Sequence, residues 1–233
     1  MARALAEAGH VVLRFDLSDV GDSPHQGKEG DFRTQAVRDL KTAMDHVTAN
    51  TGVQRFVLIG ICSGAVNAYW ASQADERVVG ILMMDGFWYL TALAKWVRRW
   101  KRFRASPWSA IPAAAWRSFF GGKRARPKND SSMFTADAIT ANPPKAEFAQ
   151  AMQTLVSRRV SVFLVYSGSV LDYYSYGAQF RHAFADEPWV RQVRCELRPE
   201  IDHTVTSQAS QRSLIDLVLE WMPEVKRQFE QMP

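Results

Sequence analysis

Cys62 lies in the run Leu58-Ile59-Gly60-Ile61-Cys62-Ser63-Gly64-Ala65, where a short apolar stretch passes at once into small residues and then into a helical pattern. Glycines two places to either side suit a turn so tight that strand and helix backbones nearly touch, and such a turn lifts its central side chain clear of the sheet. In the Gly-x-nucleophile-x-Gly frame the centre is Cys62; placing Ser63 there puts the glycines at the wrong offsets. The positive end of the following helix favours a thiolate at Cys62, and the next backbone N–H, that of Ser63, points toward a developing oxyanion. These groups suit attack by sulfur on an acyl carbonyl.

A thiol nucleophile needs a base. His203, in Asp202-His203-Thr204 between a strand pattern and the last helix, is best placed for the role. His10, His25, His46 and His182 fall on helices, strand starts or loops without partners and read as structural or solvated. A third group must orient the base, and Asp172 is the expected one. Asp202 adjoins the histidine, but in an extended loop neighbouring side chains point apart; Asp186 and Glu187 fall at the end of a helix farther along the chain.

The elements that hold these residues alternate in the manner of a parallel α/β sheet. After a helical stretch at Ala2–Ala8, His10–Phe15 reads as a buried strand and Asp16–Gly30 as a Gly/Asp/Pro-punctuated loop. Phe32–Thr48 has helical periodicity, with Ala36, Leu40, Ala43, Met44 and Val47 on one face. Further strands are expected at Arg55–Gly60, Val78–Met84, from about Val160, and at Val190–Leu197, with a last helix over Thr206–Gln228. The alternation stops between Gly86 and about Pro144, a stretch rich in Trp, Arg, Ala and Pro that reads as short helices and loops forming an inserted cap. One domain over residues 1–233 is expected, a length that buries a substantial core.

This pattern resembles the α/β-hydrolase superfamily, in its serine-aminopeptidase-like branch, over nearly the whole chain. Three stretches carry the likeness besides the elbow: Val11–Leu17 followed by Gly21-Asp22-Ser23-Pro24, Val162–Gly168 leading to Asp172, and Asp202-His203-Thr204. The resemblance implies a doubly wound, mostly parallel sheet and a triad in the chain order nucleophile, acid, histidine, here Cys62, Asp172 and His203. The chain departs from the family in three places. Cysteine at the elbow is a minority choice, found in dienelactone-hydrolase-like enzymes, polyester synthases and hydrolases of exopolysaccharide export loci, and Asp19 stands where a glycine is common. The family also has several strands ahead of the one at Val11, including the central one whose following loop supplies a second oxyanion donor. That strand would lie between the Val11 and Val57 strands, and the expectation is that this chain starts inside the full domain.

Composition narrows the function classes. An apolar fraction of 47% and a charged fraction of 23% exclude a disordered chain. No apolar run is long enough to span a bilayer and the first residues lack a secretory signal, so the expected location is the cytoplasm. Two cysteines are too few for a disulfide framework. No metal-ligand spacing or dinucleotide-type glycine fingerprint is present, so no cofactor is expected. The net charge of +5 is local: Lys95–Lys128 holds eleven Lys and Arg with no Asp or Glu, leaving the remainder at −6. Within it Trp96, Val97, Trp100 and Phe103 share one helical face, the pattern of an interfacial helix. Its readings are contact with an anionic membrane or polymer, recognition of a substrate phosphate or carboxylate, or an ordinary cap helix packing its aromatic stripe inward. Nucleic-acid binding is not expected, since no recognised motif accompanies the patch.

The expected activity is hydrolysis of an ester, thioester or lactone on a small-molecule acyl substrate through an acyl-enzyme. Acyl transfer by the same triad and a catalytically impaired binding protein are the alternatives.

Overall fold

The structure, a computed structural model, describes residues 1–23, 31–105 and 142–230. The expected loop residues 24–30 and the cap residues 106–141 lie outside the described residues. Four strands, β1 (Phe56–Ile61), β2 (Val78–Met84), β3 (Ser161–Ser167) and β4 (Arg194–Arg198), form one sheet in the order β1-β2-β3-β4. Every pairing is parallel. All four carboxyl ends therefore face the same side, where open α/β sheets gather their functional loops.

Both faces are covered by helices, as two apolar strand faces require. β2 and β3 are buried at every position. On one face Ile81 and Met83 of β2 pack with Met44 of α2 (Phe32–Thr51), Ala65, Val66 and Tyr69 of α3 (Ser63–Ala74) and Phe148 and Met152 of α5 (Lys145–Ser157). On the other, Leu82 and Met84 meet Leu5 of α1 (Ala2–Glu7) and Leu214, Leu217, Val218 and Trp221 of α7 (Gln208–Glu230). Two helices complete the described set, α4 (Ala92–Ala105) and the short α6 (Gln179–Ala183).

The four later strands lie where the sequence pattern puts them. The fourth starts at Arg194 because Pro188–Gln192 forms a 3-10 turn. The first expected strand is corrected: His10–Phe15 forms no ladder with any described strand, and Val11, Val12, Leu13 and Phe15 are exposed. The reason is spatial. A channel of about 770 Å³, lined by Val11–Leu17 on one side and Phe56–Ile59 on the other, separates the segment from β1. β1 is thereby a sheet edge with the wholly apolar sequence Phe-Val-Leu-Ile-Gly-Ile, only partly buried. The opposite edge, β4, is guarded as edges usually are: Arg194 binds Glu196 at 2.7 Å and Glu224 at 2.9 Å.

Candidate active site

The elbow is built by close approach of β1 and α3. Cys62 caps α3 with φ 54° and ψ −119°, a positive-φ conformation that costs a non-glycine residue strain. Its N–H donates to the carbonyl of Met84 at the end of β2, 2.9 Å away, and its own carbonyl accepts from Ala65 and Val66. Gly60 makes this possible: a Cβ there would stand 2.2 Å from the carbon and oxygen of Gly64. The first α3 N–H to find an acceptor is that of Ala65, so Ser63 N–H belongs to the donors that a helix's first turn leaves over. Cys62 is half-buried and free of any disulfide, as is Cys195.

Next in the sheet, Asp85 follows β2 directly. It too has positive φ, 52°, and its side chain is completely buried. Ser167, the last residue of β3, donates its N–H to Oδ1 at 2.8 Å and its hydroxyl to Oδ2 at 2.6 Å. His203, after β4, brings Nδ1 to 2.8 Å from the same Oδ2. Its backbone N–H donates to the Ser169 hydroxyl at 3.0 Å, which fixes the loop. The end of β3 and the loop after β4 thus converge on the carboxylate that follows β2.

Among the described residues Cys62 Sγ has no hydrogen-bond partner, and the His203 ring meets an acid other than the expected one. The structure brings Asp85, not Asp172, to the His203 ring. Asp172 lies exposed in the turn after Gly168–Val170 and hydrogen-bonds to no described residue. Cys62 and Asp85 are neighbours in register, since Ile61 pairs with Met84 one step before them. The missed signal was local: Asp85-Gly86 ends an all-apolar run, a lone acid at the carboxyl end of the strand beside the elbow. His25 lies outside the described residues, and His10 hydrogen-bonds through its backbone to Leu5.

Asp202 turns back on its own loop, accepting from Thr206 N–H at 3.1 Å and the Thr204 hydroxyl at 3.0 Å. The Thr206 N–H bond, foremost, holds its carboxyl well below the usual carboxylate range. A depressed acid stabilises the fold above its unfolded value and ceases to do so as pH falls through the folded one. Protection of the Thr206 amide from hydrogen exchange is accordingly expected to persist down to about pH 4 and to decline below it, where free carboxyls protonate. Full protection retained in Asp202→Ala throughout that range would exclude the role. Among the described residues no three His, Cys, Asp or Glu side chains lie together as a metal site would need, and no helix is long and apolar enough to cross a membrane.

A family model described as "Alpha/beta hydrolase family" matches residues 1–224. No curated protein matches the chain. Similar solved structures include a carboxylesterase from the ammonia-oxidizing Thaumarchaeon Nitrososphaera gargenis, at 13% identity and TM-score 0.49, covering 87% of this chain and 76% of that one. A thermophilic esterase from Thermogutta terrifontis matches at 18% identity and TM-score 0.46, over 90% and 78% of the two chains. An extracellular alpha/beta-hydrolase from a Paenibacillus species matches at 16% and 0.44, over 93% and 90%.

Proposed function

Since the chain belongs to the alpha/beta hydrolase family, we propose that it is an acyl hydrolase of esters, thioesters or lactones, with Cys62 as nucleophile, His203 as base and Asp85 as the residue that positions the base. The observation carrying this reading is the 2.8 Å bond between His203 Nδ1 and the buried Asp85, on the sheet position beside the elbow. With Asp85 ionised, the ring proton resides on Nδ1 and Nε2 is left to accept the Cys62 proton.

In the proposed cycle, Cys62 Sγ attacks the acyl carbonyl carbon while His203 Nε2 takes the thiol proton. Ser63 N–H donates to the tetrahedral oxyanion. Collapse expels the alcohol, thiol or opened lactone hydroxyl, protonated by His203, and leaves an acyl thioester. Water, deprotonated by the same nitrogen, then releases the acid and restores the thiol. We place the substrate-selecting cap within Gly86–Pro144, whose first residues already present an aromatic wall: Trp88 packs on Tyr173 with ring centroids 5.0 Å apart. That wall suits an apolar acyl group or a sugar face. Acyl transfer would share every step up to the thioester and differ only in the acceptor.

Iodoacetamide labelling of both cysteines, in wild type and His203→Ala, tests the pairing alongside turnover of a p-nitrophenyl ester series. Cys195 is the internal control. Burial pushes its thiol up to about 11, so near pH 8 about one molecule in a thousand carries the thiolate. Cys62 is expected to label far faster than Cys195 and to slow in His203→Ala, with ester turnover lost in the same variant. Equal labelling of Cys62 with and without His203 would leave the pair uncoupled and this reading without support.

A further inference from the structure

α4 turns its aromatic stripe outward. Leu93, Trp96 and Trp100, spaced three and four residues apart on one helical face, are 46%, 60% and 48% exposed. The two indoles stack in parallel, centroids 5.9 Å apart at 6°. The helix is fastened to the domain by its other face. Ala94 is fully buried and donates its N–H to the Thr91 hydroxyl at 3.0 Å, which in turn meets Tyr176 Oη at 2.8 Å, while the Arg98 guanidinium lies over the Tyr173 ring at 5.5 Å. Among the described residues, the contacts that fasten α4 to the domain thus come from the face opposite the stripe.

Charge supplies the second observation. α4 contains six Lys and Arg among fourteen residues and no acid, and Lys95, Arg99, Lys101 and Arg104 are exposed. Large apolar rings bordered by cations need an apolar layer and anions side by side. A shape-specific protein partner would have to match both. The headgroup and upper acyl region of an anionic bilayer offers both with no shape requirement, and cationic stems snorkel into it. We infer that α4 docks the protein in the plane of an anionic lipid surface, with Leu93, Trp96 and Trp100 entering the interface and the basic side chains meeting lipid phosphates.

The test is co-sedimentation of the full chain with large unilamellar vesicles of phosphatidylcholine, alone or with roughly one third phosphatidylglycerol. Binding to the anionic vesicles only, weakened by added salt, is expected. Arg99→Glu should lower the partition coefficient about thirtyfold, reversing one charge where each is worth about a factor of five. Trp96→Ala should lower it about tenfold or more while leaving thermal unfolding unchanged. Failure to bind, equal binding to both vesicles, or binding untouched by Trp96→Ala would overturn the inference. So would binding to soluble heparin of equal strength in wild type and Trp96→Ala together with vesicle binding that follows the same pattern, since charge alone would then account for it.

Discussion

Asp85→Asn is expected to reduce kcat for the best ester substrate by about 10⁴, while Asp172→Asn leaves it within about twofold. The substitution keeps the shape of a completely buried side chain, so packing changes little. Chemistry changes a great deal. A carboxylate accepts from Nδ1–H and leaves Nε2 free to receive a proton; an amide can donate to Nδ1 and so favour the tautomer whose Nε2 already carries one. The same carboxylate holds both Ser167 donors, so thermal unfolding should be recorded in parallel, and activity compared only under conditions where both variants are folded. The opposite result, activity lost in Asp172→Asn and kept in Asp85→Asn, would move the positioning role to the turn after β3. That would require the loop to rearrange before catalysis.

Gly60→Ala is expected to destabilise the protein by about 4 kcal/mol, a fall in Tm of about 10 °C for a chain of this size. The added methyl would meet backbone atoms, at 2.2 Å from Gly64 C and O and 2.4 Å from Ala65 N. No side-chain rotation relieves such a clash, so β1 and α3 must separate and the strained Cys62 turn must open with them. Gly64→Ala is the control. A Cβ at Gly64 meets nothing within 4 Å, and in a helix alanine should be neutral or stabilise by about 0.5–1 kcal/mol. Differential scanning fluorimetry of the two variants decides the matter: equal Tm values would mean that the strand–helix approach is looser than the geometry here.

The composition of each segment determined much of this protein before any fold was known. Runs such as Val78–Met84 and Val162–Val165, which carry no polar side chain, fit strands covered on both faces, and they are buried at every position. The Gly-Ile-Cys-Ser-Gly frame located a turn whose positive φ and strand–helix approach, too close for a Cβ at Gly60, are properties of the local chain. Position in the strand–helix alternation was enough to bring His203 to the carboxyl edge of the sheet, because parallel strands all end on one side. The outward turn of the α4 stripe, by contrast, was one of several readings that helical periodicity left open, since periodicity defines a face without saying which way it points.

Tertiary structure alone decided which acid meets the histidine. Asp85 and His203 are 118 residues apart, and their meeting depends on how far β2, β3 and β4 extend and how the loops leave them. Asp172 follows its strand by a plausible interval in sequence, yet the 3-10 turn at Gly168–Val170 carries it to the surface. The Val11 segment makes the same point in reverse. Its apolar residues have the composition of a strand, but a strand exists only when a neighbour completes its hydrogen bonds, and across the 770 Å³ channel none of the described strands reaches it. Residue type settles what a segment can do; the partner across the sheet settles whether it does it.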